Sequence, residues 1–218
     1  MAEDTPVPCY LIRTDDGRVV LIDTGFAPAA VAATREPGYQ GPPLRDYVSV
    51  VDQLPPLGVR PEDVDILVAT HLDSDHAGMT DAFPNAEIVI QRAMYEAARA
   101  ASHPRYAMTR AQWDAPGLRY RPVDGDTELA PGVTLIETGG HVPGHQSVLV
   151  RLPQTGPVLL AIDAVVSVGQ ADPETRERPQ AARPGGARGG GPDRLRTRWP
   201  PVANPPAGPG VLRLMVIA

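Results

Sequence analysis

A layered α/β sandwich is the fold class this sequence predicts, and three observations carry the prediction. Short β-branched and apolar runs open the chain and return from residue 133 onward. Between them lie stretches with helical spacing or strong helix formers. The resulting order of strands, helix, strand, helix, strands does not alternate regularly. That order suits stacked layers better than a regularly wound parallel sheet.

Val7–Arg13 and Arg18–Asp23 are the first two predicted strands, joined tightly by Asp15-Asp16-Gly17. Asp23-Thr24-Gly25-Phe26 turns the chain out of the second. Residues 26–43 are rich in Ala, Pro and Gly and read as a surface loop with some helix. Leu44, Val48, Val51 and Leu54 fall at helical spacing, which predicts an amphipathic helix over Leu44–Leu54. Pro61-Glu62-Asp63 starts a turn, and Asp65–Thr70 is a buried strand by its apolar run. A strand-to-helix loop follows at His71–Met79. Glu87–Ile90 is the next strand and Arg92–Ala101 a helix. His103–Arg121 reads as irregular, a lid or rim. Val133–Glu137, Gln146–Leu152 and Pro157–Ile162 are the last predicted strands.

The 218 residues, 42% of them hydrophobic, suit one medium domain with a sizeable core. A formal charge of −6 gives no reason to expect nucleic acid. All 20 basic residues are Arg, a bias of composition. Cys9 is the single cysteine, so no internal disulfide forms. The N-terminus shows no basic region followed by a long apolar run, and the longest apolar stretch, around Val158–Val168, is broken by Asp163. A cytoplasmic protein that does not engage membranes is the expectation, with its oligomeric state open.

Near Thr175 the composition changes. Residues 178–218 hold seven Arg, one acidic residue, eight Pro and seven Gly. A stretch of this kind buries too little apolar surface to offset its ordering entropy. The expected division is a domain over residues 1–175 and a disordered tail over 176–218, with a short strand at Val211–Ile217 only weakly supported.

Chemistry concentrates in His71-Leu72-Asp73-Ser74-Asp75-His76-Ala77-Gly78, directly after a buried strand. Imidazole and carboxylate together suit zinc, manganese or iron. A loop can turn these side chains inward together, whereas a strand would send alternate ones to opposite faces. Any one of them alone is more simply part of a helix-capping loop, with Ser74 or Asp75 as the cap. As a cluster they point to bound cations. His141 sits in a stiff Gly139-Gly140-His141-Val142-Pro143-Gly144 loop and is a further candidate ligand. His145 reads better as a hydrogen-bonding neighbour. Asp163, at the mouth of an apolar strand, becomes the natural bridging carboxylate beside the others. Asp23 reads as a loop brace and His103 as exposed.

These residues resemble the metallo-β-lactamase superfamily. His71 to Gly78 looks like its HxHxDH loop, and Leu21-Ile22-Asp23-Thr24-Gly25 is similar to its early Asp-Thr-Gly turn. His141 resembles its downstream metal histidine and Asp163 its bridging aspartate. The stretches from Ala82-Phe83-Pro84-Asn85 to Ala98 and His141-Val142-Pro143-Gly144-His145-Gln146-Ser147 are similar to the N-acyl-homoserine-lactonase branch. The resemblance implies an αβ/βα four-layer sandwich, incomplete at the C-terminus. It implies two divalent metal ions, zinc or else manganese or iron. His71, Asp73 and His141 would hold one, Asp75 and His76 the other, and Asp163 both. It further implies opening of a lactone or ester by a metal-bound hydroxide, with Asp75 as the catalytic proton carrier and a small-molecule lactone or ester as partner.

Three departures qualify that expectation. Asp73 stands where the family has a second histidine. Val166 stands where similar lactonases have a tyrosine. No histidine follows His145, so the second ion lacks a ligand and is expected to bind weakly. A shifted reading frame near Arg176–Pro179 would account for the tail. Thioester or other ester hydrolysis, and a catalytically impaired remnant, are the competing readings.

Overall fold

The strands with near-continuous apolar sequence are those covered on both faces. In the computed structural model, which describes residues 6–41, 44–100, 104–165 and 212–217, β1 (Cys9–Arg13), β2 (Val19–Ile22), β3 (Ile66–Val68) and β4 (Glu87–Gln91) lie side by side. β1 and β2 are antiparallel, and β2, β3 and β4 run parallel. The first sheet is completed by β5 (Arg119–Val123) beside β4 and, after the second sheet in chain order, by a strand at residues 213–217 beside β1. The second sheet is an antiparallel meander of β6 (Thr127–Ala130), β7 (Val133–Glu137), β8 (Gln146–Leu152) and β9 (Gly156–Leu160).

Alternation along the strands divides the interior in two. Ile12, Val20, Ile22, Ile66, Val68 and Val89 face the second sheet and pack with Val133, Leu135, Val148, Val150 and Leu160. Leu11, Leu21, Leu67, Ile88 and Ile90 face the other way, in one cluster with Met94, Ala98 and Trp113 of the helical layer. The helices in chain order are α1 (Pro28–Ala33), α2 (Val50–Gln53), α3 (Arg92–Ala100), α4 (Pro104–Ala107) and α5 (Arg110–Trp113). The described residues therefore supply three layers of the expected sandwich: helices, mixed sheet and antiparallel sheet. On the outer face of the second sheet Leu159 is 52% exposed.

Four local expectations change. The helix predicted over Leu44–Leu54 shrinks to the single turn α2. Ser49 caps it by accepting from the Asp52 amide, and Pro55 and Pro56 divert the chain into a 3-10 turn. Ahead of it the Tyr47 hydroxyl donates to the Phe26 carbonyl and straps the chain down instead. The region read as irregular, His103–Arg121, contains α4, α5 and the start of β5. That strand is hard to see because Arg-Tyr-Arg-Pro-Val lacks apolar alternation, and its Pro122 is tolerated because β5 is an edge strand. β6 was not expected at all.

The fourth change lies in the tail. Arg213–Ile217, β10, pairs antiparallel with β1 over the whole of that strand, Cys9 opposite Ile217 and Arg13 opposite Arg213. Leu212 enters the inter-sheet cluster. The weakly supported strand is thus a member of the first sheet, because an apolar run beside an open sheet edge gains both ladder bonds and burial. The other residues of the expected tail lie outside the described ones.

Candidate metal centre

The strand ends of both sheets converge on one cluster. At the end of β2 the backbone of Asp23 turns left-handed, at φ 60°, a conformation Asp tolerates better than most residues. The turn aims its carboxylate across to the loop after β3. There Oδ1 accepts the Thr70 amide at 2.9 Å and Oδ2 accepts the Thr70 hydroxyl at 2.8 Å. The same Oδ2 lies 2.8 Å from His76 Nδ1, an arrangement that leaves Nε2 facing away from the brace. Thr24 ties the loop a second time, its amide and hydroxyl both donating to the His76 carbonyl. Gly78 lies so close that a Cβ would run into the Ala27 backbone. The Asp23-Thr24-Gly25 turn is therefore the brace expected of Asp23.

His71 is fully buried, with Nδ1 3.1 Å from the Thr70 hydroxyl. Its Nε2 is buried and has no hydrogen-bond partner. His141 arrives from the β7–β8 loop, which closes through the Thr138 amide on the His145 carbonyl. Gly144 holds a left-handed φ of 62° in that loop, close against the Met94 backbone, where only glycine fits. Asp163 follows β9 on a 3-10 turn after Ile162, itself at φ 53°. That conformation is strained for a β-branched residue.

Asp163 Oδ2 stands at the middle. It lies 3.4 Å from His141 Nε2, 3.7 Å from His76 Nε2 and 3.8 Å from His71 Nε2. Two donor triads share it, His71–His141–Asp163 and Asp75–His76–Asp163, each with its donor atoms within 4.8 Å of one another. Asp73 is in neither triad but touches the first: Oδ2 is 3.2 Å from His141 Nε2 and 3.4 Å from His71 Nε2. Burial works against the Asp73 charge, yet His141, His71 and Arg105 outweigh it and hold the carboxyl well below the usual range. Burial likewise works against a charged His76, but Asp23, Asp75 and Asp163 prevail and push it up to about 9. A half-buried knot of imidazoles and carboxylates with an unpartnered His71 Nε2 is chemistry that divalent cations satisfy. The residues present fit such ions.

The sequence profile of the metallo-beta-lactamase superfamily matches residues 2–213. The chain belongs to this superfamily. An N-acyl homoserine lactonase from a Bacillus species is 41% identical over 167 residues, 74% of this chain and 64% of the relative. One from Azorhizobium caulinodans is 37% identical over 188 residues, 76% of this chain and 67% of the relative. Among solved structures, an N-acyl homoserine lactone hydrolase with N-hexanoyl-L-homoserine at its catalytic metal centre superposes with a TM-score of 0.69 at 35% identity. It covers 79% of this chain and 69% of its own. The Bacillus thuringiensis enzyme with N-decanoyl-L-homoserine bound gives the same values. The chain thus spans about two thirds of these relatives (64% of the first).

The metallo-beta-lactamase chain brings together all six residues singled out from its sequence: His71, Asp73, Asp75, His76, His141 and Asp163. His145 is buried, with Nδ1 2.8 Å from the Thr138 hydroxyl and its ring 5.1 Å from that of His71. Burial, then the charge of neighbouring His71, brings it down to about 4. His103 and Val166 lie outside the described residues. Sequence reasoning missed Arg105, whose Nε is 2.9 Å from Asp73 Oδ1. The available signal was the extra carboxylate at position 73, which calls for a cation nearby.

Proposed function

We propose that this chain hydrolyses lactones or esters, N-acyl homoserine lactones first among them, at a two-cation centre. The observation that carries the proposal is the single Asp163 carboxylate oxygen facing three imidazole Nε2 atoms, two from the loop after β3 and one from the β7–β8 loop, within 3.4–3.8 Å. The lactone-hydrolase names of relatives about 40% identical support the substrate class.

In this reading His71, Asp73 and His141 hold one cation, Asp75 and His76 hold the other, and Asp163 serves both. Zinc is the expected metal, since imidazole predominates in the first set; the carboxylates leave manganese or iron as alternatives. When bound, such ions lower the pKa of a coordinated water toward neutrality and polarise a carbonyl. Asp23 fixes the ring of His76 through Nδ1, and Thr70 stands at Nδ1 of His71, so both rings present Nε2 inward. Asp75 is half-buried, with Oδ2 3.6 Å from His76 Nε2. In this reading it carries a proton to the leaving alkoxide. No described helix is long and apolar enough to cross a membrane, and a cytoplasmic location forms part of the proposal.

Val166, where similar lactonases carry a tyrosine, favours thioester or other ester hydrolysis as the second reading. Zinc-loaded protein assayed on N-hexanoyl homoserine lactone, an acyl thioester and a β-lactam separates the two. Ring opening of the lactone, lost on removal of metal, is expected. Turnover of the thioester alone would move the assignment to the second reading, and elemental analysis showing no bound metal would end both.

A further inference from the structure

Arg105 belongs to no motif that suggested the metal centre, yet its guanidinium meets the one residue that departs from the family's ligand pattern. We infer that Arg105 is a positioning residue for the centre: it holds one oxygen of Asp73 so that the other alone faces His71 and His141, and its charge cancels the carboxylate's. Together Asp73 and Arg105 stand in for a neutral imidazole. The inference rests on the metal-centre reading above and concerns how the first cation is held.

The geometry divides the two carboxylate oxygens cleanly. Oδ1 is 2.9 Å from Arg105 Nε, while Oδ2 is 3.2 Å from His141 Nε2 and 3.4 Å from His71 Nε2. A carboxylate with both oxygens free can chelate through both, the habit of larger oxygen-seeking cations. With one oxygen engaged it offers a single donor, as the tetrahedral geometry of zinc requires. Charge points the same way. His71, Asp73, His141 and Asp163 carry two negative charges, one more than the same set with imidazole at position 73, and added negative charge weakens a cation's Lewis acidity. A guanidinium beside Asp73 offsets that extra charge.

The delivery is built. Arg105 sits on α4, next to buried Tyr106, whose backbone carbonyl accepts the indole N–H of Trp113 at 3.0 Å. Trp113 is itself fully buried. The helix is thus pinned to the core one residue from the guanidinium. Arg105 is 38% exposed and Asp73 only 11%. With the guanidinium open to water and the carboxylate largely buried, the use of the pair lies in what Asp73 presents inward.

Zinc affinity, measured by competition with a chromophoric chelator on the full chain, tests this in a double-mutant cycle. Arg105→Ala is expected to weaken the tightest zinc by about 10- to 100-fold, the usual cost of losing a group that orients a ligand. In an Asp73→His background the sign reverses: there Arg105 is an uncompensated cation beside the metal, and Arg105→Ala strengthens binding. Arg105→Lys, which keeps the charge without the fork, falls between wild type and Arg105→Ala. If Arg105→Ala does not fold, Arg105→Gln replaces it in both backgrounds. Equal losses in the two backgrounds would show a merely structural role and overturn the inference, as would unchanged zinc affinity in the wild-type background. Wild-type protein that takes up no zinc would instead overturn the metal-centre reading and this inference with it.

Discussion

The two halves of the cluster share Asp163 and are assembled in different ways. The His71–Asp73–His141 half draws on loops 70 residues apart in sequence, after β3 and after β7. Nothing covalent relates them; the stacking of the two sheets does. The Asp75–His76 half comes from adjacent residues of one loop and is aligned by the turn after β2: Asp23 lies 2.8 Å from His76 Nδ1 and Thr24 ties the His76 carbonyl. One half depends on sheet stacking, the other on the Asp23-Thr24 turn. The described residues also give the first half four donors, Asp73 included, and the second three. A stronger and a weaker cation site are the expected consequence.

The sharpest test of that contrast is His71→Ala. It removes a ligand outright, so zinc uptake and lactone turnover should both fall by at least about 100-fold, beyond the 10- to 100-fold typical of losing an orienting partner. Zinc titration and kcat/KM check it; a variant that retained the tight zinc would show that the first half is not the stronger site. Asp23→Asn should act chiefly on the second half, because Asp23 meets His76 directly and His71 only through Thr70. It keeps a residue tolerant of the left-handed backbone but replaces the charged brace on His76. A loss of about 10- to 100-fold at the weaker zinc step, with a smaller loss at the tighter step, is expected. Equal weakening of both steps would show that Asp23, through Thr70, orients His71 as strongly as it orients His76.

The smallest effect concerns His145, behind the first half, and reads out as stability. Its pKa falls to about 4 in the folded chain from 6.5. Above the unfolded value the ring is neutral in both states and the full contribution is present. As pH falls the unfolded chain takes up a proton that the folded one refuses, so stability is lost with acid. Between pH 6.5 and 5.5 the loss from this group is about 1 kcal/mol. Metal-free wild type should therefore lose more urea stability over that range than His145→Gln; identical pH slopes would show that His145 is not held neutral by burial.

Legibility in the sequence followed the range of the interaction. The Asp75-His76 pair, the brace at Asp23 and the strands β1 to β4 are local patterns, and each is where its own residues put it. β5 and β6 were obscure because Arg-Tyr-Arg-Pro-Val shows no apolar alternation and β6 buries only the adjacent Leu129 and Ala130. The predicted long helix at Leu44–Leu54 failed because Pro55-Pro56 and the Tyr47 contact with Phe26 outweigh helical spacing. Arg105 could not be singled out: its meaning comes only from standing beside Asp73, 32 residues earlier.

By itself, then, the order of residues determined which groups were available to hold a cation and which strands would be apolar on both faces, because both follow from chemistry and spacing within a few residues. Tertiary structure decided which imidazoles share Asp163, which oxygen of Asp73 is free, and that Arg213–Ile217 closes the sheet against β1. Those outcomes depend on distances between loops set by sheet stacking and strand register, which no local pattern encodes.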